Sequence, residues 1–383
     1  MSATALTRTG GAAQQAEGEL DPIYVASQWR LMWWKFRKHK PAIVGGIIIF
    51  ALYFVATFCE SVAPSDPNAY SELYTYAPPQ RIHFSDEGRF QFPPFVYGLE
   101  GKRDPETYLL VFQDNTERKY PLRLFARGSP YRLWGVFESR VHLLGIENSD
   151  GQGTLYLLGT DRMGRDVLSR VIYGSRVSMS IGLVGVVMTF ALGILIGGVA
   201  GYYGGLLDTI VMRVIEFIRS IPAIPLWMAL SAALPIGWPP LRVYFGITII
   251  LSLISWSSLA RVVRSQFLAL REEDFVMAAR LSGASEGRII LRHLVPAFLS
   301  YIIASLSLSL PRTILSETSL SFLGLGIRPP AISWGVLLQD AQNLQAMALA
   351  PWLLAPGLAV VIVVLAFNFL GDGLRDAADP YTR

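Results

Sequence analysis

The sequence is short of charge, cysteine and histidine, and each shortage excludes a class of protein. Charged residues make up 16% of the chain and hydrophobic residues 52%, which is too apolar for an ordinary soluble domain. The single cysteine, Cys59, allows neither an internal disulfide nor a CxxC metal site, and is expected to be packed or to face lipid. No HExxH, Ser/His/Asp or GxxxxGKS/T pattern occurs. Catalysis, a bound metal or cofactor, and direct ATP binding are therefore not expected of this chain.

Long apolar runs dominate the sequence instead. Several segments are nearly free of charge and approach the roughly 20 residues that a helix needs to cross a bilayer. They predict six transmembrane helices, the last ending at Gly371 and Gly373, around residues 42–58, 177–200, 221–236, 243–260, 298–310 and 352–370. The net charge of +4 is small and spread over loops. Membrane lipid is therefore an expected partner and nucleic acid is not.

The distribution of basic residues predicts how the helices cross the membrane. The segment WRLMWWKFRKHK, at 29–40, is typical of a helix on the cytoplasmic membrane surface. An uncleaved first span and an even number of spans then place both termini in the cytoplasm. A basic group before the second span opposes this assignment, although long loops cross largely regardless of charge: Arg162, Arg165, Arg170 and Arg176.

These features divide the chain into five predicted parts, of which the third is an external insert. Within the insert, YLLVFQDNTERKYPLRLFA predicts two strands around a turn at Asp114-Asn115. The parts are a cytoplasmic tail with an interfacial helix (1–40), a first transmembrane helix (41–60), the insert (61–170), a transmembrane core with a cytoplasmic loop at 265–296 (171–373), and a cytoplasmic tail (374–383).

The third span opens on charged residues and prolines. Arg213, Glu216 and Arg219 recur at a spacing of three, which would allow a Glu216–Arg219 pair. Pro222 and Pro225 follow and are expected to bend or break the helix.

The fifth span carries ionisable residues at membrane depth. Such residues usually face a protein interior or a watery cavity, so Glu317 is a candidate pathway residue. A structural pair between Glu317 and Arg312, or with a partner chain, is the alternative. In the following SFLGLGIRPPAISWG, the glycines and prolines are expected to turn the chain at the outer surface and leave Trp334 in the membrane interface.

The loop REEDFVMAARLSGASEGRIILRHLVP, at 271–296, mixes charges, alanines and glycines between two apolar spans. Read as a helix, it places Phe275, Ala278, Ala279 and Ser282 on one face, and Gly283 ends that helix. A short helix with small residues and flanking charges is suited to a groove on another protein, because alanines permit close approach.

This loop resembles the coupling loop of ABC importer permeases, which docks on the ATPase. Met277 stands where the broad pattern has Glu, and His293 and Val295 replace apolar residues. Three further stretches are similar to signatures of the C-type subunit in the oligopeptide, dipeptide and nickel permease family: LGTDRMGRDVLSRVIYGSRVSMSIG, ETSLSFLGLGIRPPAISWG and FNFLGDGLRDAADP. Against shorter members of that family, the external insert looks expanded.

The resemblance implies an all-α integral membrane protein of the bacterial inner membrane. It would have the six-helix type I ABC importer permease fold, with a small α/β or β-containing external insert. The implied partners are a second homologous permease, two P-loop ATPases that carry ATP and Mg, and an extracytoplasmic solute-binding protein. The ATPase would contact Phe275, Ala278, Ala279, Arg280, Ser282, Gly283, Ala284, Ser285 and Gly287.

The resemblance also implies ATP-driven uptake by alternating access, with a peptide as the expected solute. Candidate pathway residues are Arg312, Ser316 and Glu317. A nickel chelate and an oligosaccharide are alternative solutes. A self-sufficient secondary transporter or channel using Glu216 and Glu317 is a rival interpretation, and a membrane scaffold that recruits a cytosolic protein is another.

Overall fold

The computed structural model describes residues 28–86, 88–106, 110–147, 153–235 and 237–378. Most of the predicted N-terminal tail, and Asp379 in the C-terminal tail, lie outside these ranges. The helices are α1 (Gln28–Lys38), α2 (Lys40–Thr57), α3 (Cys59–Val62), α4 (Val167–Tyr203), α5 (Gly205–Ser220), α6 (Ala223–Ala232), α7 (Pro240–Leu270), α8 (Asp274–Leu281), α9 (Glu286–Ile289), α10 (Val295–Ala297), α11 (Leu299–Phe322), α12 (Trp334–Gln339), α13 (Leu344–Leu349) and α14 (Ala355–Ala378).

The helical membrane fold is confirmed. Four helices in the described ranges are long and apolar enough to cross a membrane, namely α2, α4, α7 and the run Pro351–Ala377. Two bent pairs bring the number to six if each pair is one span. The first pair, α5 and α6, is bent by 88° where Pro222 precedes α6, as the prolines predicted. The second pair, Glu286–Ala297 with Tyr301–Phe322, is bent by 73°.

The insert is built on a four-stranded antiparallel sheet in the order β1-β2-β3-β4. Its strands are β1 (His83–Asp86), β2 (Arg89–Arg103), β3 (Leu110–Leu133) and β4 (Phe137–Ile146). The predicted turn at Asp114-Asn115 is wrong, because both residues pair with β2 inside the single strand β3. They lie beside an irregularity in that pairing, opposite Tyr97 and Gly98. Cross-strand pairing thus overrides the turn preference of these two residues, and only a bulge-like irregularity in the strand register remains.

Helix α4 sets the distance between the two ends of the molecule. Its first turn lies beside the insert, where Ser65 Oγ donates to Asp166 Oδ2 at 3.2 Å. Its last residue, Tyr203, contacts Glu286 in α9. A helix of 37 residues is roughly 55 Å long, so the insert and α8–α9 lie at opposite ends of the helical bundle.

Helices α2 and α14 bring both ends of the chain to the α8 side. His39, before α2, lies 3.7 Å from Asp376 near the end of α14. The other end of α2 lies on the insert side, where Arg176 of α4 donates to the Thr57 carbonyl at 2.9 Å. The two described chain ends are therefore on the side opposite the insert.

Two expectations about the last spans are wrong. Trp334 is 1% exposed and its indole donates to the Val171 carbonyl at 3.0 Å, so it packs between helices and does not anchor in the membrane interface. Gly371 and Gly373 do not end the last helix, which runs to Ala378. A Cβ at Gly373 would lie 2.2 Å from Ala42 Cβ, so this glycine permits close packing against α2.

Candidate functional site

A cavity of about 470 Å³ opens between α4, α6, α7, α11 and α14. Aliphatic and aromatic side chains form part of its lining, and Arg312 and Arg375 contribute guanidinium groups. None of the described lining residues is acidic. The remaining polar lining consists of the Trp227 indole and of hydroxyl groups from Thr189, Ser255, Ser258, Tyr301, Ser305, Ser309, Thr313 and Ser316. Hydroxyl and guanidinium groups suit neutral polar groups and carboxylates.

Several cavity-lining hydroxyl groups on α11 are bonded to the backbone of their own helix. Thr313 Oγ1 donates to the Ser309 carbonyl at 3.1 Å, and Ser316 Oγ donates to the Arg312 carbonyl at 2.8 Å. A hydroxyl used in this way keeps its lone pairs for another donor. The cavity therefore presents hydrogen-bond acceptors at fixed positions along α11.

The structure separates the three predicted pathway residues. Arg312 and Ser316 line the cavity, whereas Glu317 is fully buried beside it. Ser321 Oγ donates to Glu317 Oε1 at 2.8 Å, and Ser178 Oγ donates to Oε2 at 3.3 Å. Among the described residues no ion pair joins Glu317 to Arg312. Contact between Glu317 and substrate stays a prediction, and its observed neighbours are hydroxyl groups.

Glu317 also helps to position the chain that follows α11. Ser178 Oγ, beside the Glu317 carboxylate, accepts the Trp334 N–H at 3.1 Å. Ser321 Oγ accepts the Ile327 N–H at 3.0 Å. The carboxylate thus stands at the centre of contacts among α4, α11 and the turn before α12.

Glu216, the other acidic residue of the rival interpretation, lies on the exposed surface of α5. It accepts a hydrogen bond from Arg213 at 2.8 Å, whereas Arg219 donates to Ser258 Oγ. The predicted Glu216–Arg219 pair is therefore wrong, because α7 supplies Arg219 with a nearer partner.

The exposed loop between α7 and α11 contains a short helix, a glycine turn and a second helix. Gly283 has a φ of +74°, and the Ala284 N–H donates to the Ala279 carbonyl at 3.1 Å, which is the pattern of a glycine-terminated helix. Ala284 is half-buried. Most of the other residues predicted to contact an ATPase are exposed: Phe275, Ala278, Arg280, Ser282, Gly283, Ser285 and Gly287.

The predicted common face of this loop needs one correction. Ala279 is only 9% exposed and belongs to a buried cluster with Val276 and Phe267. Val276 and Ala279 are three residues apart and therefore point to the same side of α8, toward the membrane helices. The outward surface is formed by Phe275, Ala278 and neighbouring exposed residues instead.

The end of α4 is attached to this loop by side-chain contacts. The guanidinium carbon of Arg280 lies 5.5 Å from the centre of the Tyr202 ring. The Tyr203 hydroxyl donates to Glu286 Oε2 at 2.7 Å. Because α4 also contributes Val186 and Thr189 to the cavity, one helix contacts both the exposed loop and the cavity.

Helices α4 and α7 approach each other closely along a row of glycines. A Cβ at Gly197 would lie 2.3 Å from the Ala260 carbonyl oxygen, and a Cβ at Gly201 would lie 2.7 Å from the Arg264 carbonyl oxygen. Small residues four apart permit such backbone contact between membrane helices. The two helices therefore form a tightly packed pair between the loop and the cavity.

The four arginines before the second span, whose charge argued against the predicted topology, form ion pairs with acidic side chains. The ion pairs are Arg162–Asp340 (3.4 Å), Arg165–Asp161 (2.7 Å), Arg170–Asp161 (3.5 Å) and Arg176–Glu60 (2.5 Å). Burial raises the pKa of the Asp340 carboxyl above its usual value, although Arg162 acts in the opposite direction. These arginines are structural components of the insert side. The partners of Arg162 and Arg176 are distant in the chain, so the sequence alone did not reveal those two pairs.

No group of three His, Cys, Asp or Glu side chains within the described ranges is arranged to hold a metal ion.

Two family models match parts of this chain. Residues 193–383 match the model described as binding-protein-dependent transport system inner membrane component. Residues 27–79 match the N-terminal transmembrane domain of oligopeptide transport permease C.

Curated relatives align over more than half of the chain. The dipeptide transport system permease protein DppC of Alkalihalophilus pseudofirmus is 38% identical over 60% of this chain and 73% of its own length. The oligopeptide transport system permease protein OppC of Bacillus subtilis is 36% identical over 59% and 72%. The glutathione transport system permease protein GsiD of Pectobacterium atrosepticum is 36% identical over 61% and 75%.

A solved inward-facing structure of the MetNI methionine ABC transporter aligns with a TM-score of 0.40 and 21% identity, covering 55% of this chain and 96% of that one.

Proposed function

The chain belongs to the family of binding-protein-dependent transport system inner membrane components, as a C-type ABC importer permease of its oligopeptide, dipeptide and nickel branch, and we propose that it supplies half of the pathway of an ATP-driven peptide importer. The family predicted from the sequence motifs is confirmed. The proposed complex contains a second homologous permease, two P-loop ATPases and an extracytoplasmic solute-binding protein.

One observation carries the proposal: α4 contacts both the exposed loop and the polar cavity. At one end Arg280 stacks over Tyr202, and further along the helix Thr189 lines the cavity. A partner that moves the loop would therefore act directly on a cavity wall. This arrangement suits a permease driven by a separate ATPase.

The exposed surface of the loop supports the proposed contact with an ATPase. Leu281 is 88% exposed, and the alanine and glycine positions beside it allow close approach. The buried Val276 and Ala279 hold the underside of α8 to the membrane helices. A push on the outer surface would thus be transmitted as a rigid-body movement of the loop with α4 and α7, which would switch the pathway between inward and outward access.

The cavity supports a peptide as the solute. A peptide offers backbone amides and a terminal carboxylate, which match the hydroxyl groups on α11 and the guanidinium group of Arg312. The names of the relatives cited above refer to dipeptide, oligopeptide and glutathione transport. The absence of acidic side chains among the described lining residues disfavours a free cation such as Ni²⁺.

The proposed topology places both termini and the α8–α9 loop in the cytoplasm and the insert outside. It is supported by the basic helix α1, whose last turn carries Lys35, Arg37 and Lys38. The pairing of the arginines on the insert side reduces the weight of their charge against this orientation.

The experiment that tests the proposal is purification of the tagged chain from its native membrane in mild detergent, followed by mass spectrometry. We expect a P-loop ATPase and a second permease to be recovered with it. Leu281→Asp and Gly283→Trp, on the exposed loop, should release the ATPase while the second permease remains. Leu344→Asp is the matched control, because Leu344 is similarly exposed, at 85%, in α13 on the insert side.

A chain that purifies alone and still moves solute in liposomes would contradict the proposal and favour the secondary-transporter interpretation. Recovery of a cytosolic protein without ATPase activity would favour a scaffold.

A further inference from the structure

The turn between β3 and β4 presents an exposed apolar tip that transport by the membrane helices does not explain. The turn consists of Trp134, Gly135 and Val136, between Leu133 at the end of β3 and Phe137 at the start of β4. Trp134 is 50% exposed, Val136 71% and Phe137 61%. Side chains of this size at a hairpin tip are costly in water.

The tip is held at the outer end of the first membrane-spanning helix. The Trp134 indole N–H donates to the carbonyl of Thr57, the last residue of α2, at 2.8 Å. The rings of Trp134 and Phe58 are 5.4 Å apart. The helix end has carbonyl groups without intrahelical partners, so this bond caps the helix and fixes the position of the turn.

The sheet has a second attachment at the same place. The His142 ring in β4 lies between two carbonyl oxygens, with Nδ1 2.6 Å from Ala63 and Nε2 2.9 Å from Ser129. Ala63 follows α3, the short helix that comes directly after the first span. The β3–β4 hairpin is thus tied to the membrane end at two points.

The apolar surface is continuous from the membrane helix to the tip. On α2, exposed apolar side chains recur at helical spacing at Val44, Ile47, Phe50 and Phe54. Phe54 contacts Phe58 at 4.8 Å between ring centres, and Phe58 contacts Trp134. Val136 and Phe137 extend this row beyond the helix.

Charged residues flank the apolar tip on its sheet side. Arg132 and Glu138 are exposed and paired at 2.7 Å across the hairpin, directly behind the apolar turn. An aromatic and aliphatic tip followed by paired charges is the order that a membrane interface favours, with Trp at the headgroup level.

The backbone of the turn is specialised. Trp134 and Gly135 both have positive φ, of 51° and 75°. Glycine and asparagine are the usual residues for this conformation in hairpins, and a bulky aromatic residue is uncommon there. The bond to Thr57 and the ring contact with Phe58 account for the presence of Trp134.

We propose that the Trp134–Phe137 turn inserts into the outer headgroup layer of the inner membrane and holds the insert to the lipid surface. The occupant of this apolar tip is lipid, because the tip continues the exposed face of α2. The inference goes beyond the proposed transport function and rests only on the membrane-spanning α2 and on the proposed external position of the insert.

The test uses site-directed spin labelling of the full chain in nanodiscs. Val136→Cys carries a nitroxide label at the tip, and Phe137→Cys is a second site in case the first variant does not fold. The control is Glu117→Cys in the same strand β3, up to roughly 55 Å from the tip. The native Cys59 does not interfere, because it is fully buried and burial raises the pKa of its thiol to about 12. Unmodified protein treated with the label checks this.

The collision rates of the nitroxide with oxygen and with a water-soluble nickel chelate are then measured by microwave power saturation of its signal. The expected result is an oxygen-to-nickel collision ratio several-fold higher at 136 or 137 than at 117. A ratio equal to that at 117 would place the tip in water and overturn the proposal. Low collision rates with both reagents would indicate burial against a protein, such as the second permease, and would also overturn it.

Discussion

The guanidinium carbon of Arg280 lies 5.5 Å from the centre of the Tyr202 ring, and this contact joins α8 to α4. A partly exposed cation–π contact contributes about 0.5–1 kcal/mol. We therefore expect Arg280→Gln to lower uptake per ATP hydrolysed by about two- to fivefold. Tyr202→Phe retains the aromatic ring and is the matched control. Uptake and ATP hydrolysis are measured together in proteoliposomes, and equal loss in both variants would exclude a role for this contact.

Gly283 and Gly287 form a matched pair for the backbone of the docking loop. Both have open space where a Cβ would lie, but only Gly283 has a positive φ, of 74°. Gly283→Ala should destabilise the loop by about 1 kcal/mol, whereas Gly287→Ala, inside α9, should be neutral or slightly stabilising. Hydrogen exchange of residues 274–289 measures the difference. Equal protection in the two variants would show that the left-handed turn does not control the loop.

Arg312 is the cationic group on α11 that lines the cavity. If it binds the terminal carboxylate of a peptide, Arg312→Gln should weaken uptake by about tenfold or more, because a hydrogen bond to a charged group contributes about 1.5–3 kcal/mol. C-terminally amidated peptides supply the control and should be affected less. An equal effect on acid and amide peptides would mean that Arg312 acts through the fold and not through the substrate.

Gly45 and Gly46 test the packing of α2 against α14. A Cβ at Gly45 would lie 2.5 Å from the Ala366 carbonyl oxygen, whereas the nearest atom to one at Gly46 is Leu370 Cδ1 at 3.7 Å. Gly45→Ala should therefore cost about 1–3 kcal/mol of stability, and Gly46→Ala should be neutral or better. Thermal unfolding in detergent compares them. A lower melting temperature for Gly46→Ala than for Gly45→Ala would refute this description of the interface.

Glu60 and Arg176 predict an effect of pH on stability. Burial acts to raise the pKa of the Glu60 carboxyl, but the hydrogen bonds and charge of Arg176, together with hydrogen bonds from the backbone and from Cys59, outweigh burial, and the pKa lies below the usual 4.5. A lowered pKa stabilises the folded state fully above about pH 4.5, and this contribution is lost as the pH falls through the folded value.

The variant that tests this pair is Glu60→Gln, which should lower the free energy of unfolding by roughly 1–2 kcal/mol near pH 7. The difference in unfolding free energy from the unmodified chain should shrink as the pH is lowered below 4.5. Denaturant unfolding at several pH values measures it, and a difference that grows toward acid would contradict the assignment.

Local pattern was sufficient to locate the membrane helices, although it misplaced the end of the last one. The apolar runs predicted the membrane helices, because span length and apolar composition are set by the bilayer itself. Pro222 predicted the break between α5 and α6 for an equally local reason, since proline removes a backbone donor. The exposed loop with Gly283 was also readable, because a glycine turn between short helices is encoded by adjacent residues.

Long-range contacts explain the failures. Asp114 and Asn115 have turn preferences, yet β2 offered them backbone partners and the chain continued as one strand. Ala279 was assigned to the outward face because helical spacing does not indicate which side of a helix meets the core. Arg219 was expected to pair with Glu216 but found Ser258 on another helix.

The sequence by itself determined the membrane class, the family, and the positions of the spans and the exposed loop, because hydropathy, glycine and proline act within a few residues. Only the tertiary structure decided that Glu317 lies among hydroxyl groups outside the cavity, that α4 contacts both Arg280 and the cavity, and that Trp134 caps α2. Each of these depends on the rotation and separation of elements far apart in the chain, and that geometry is set by packing of the whole molecule.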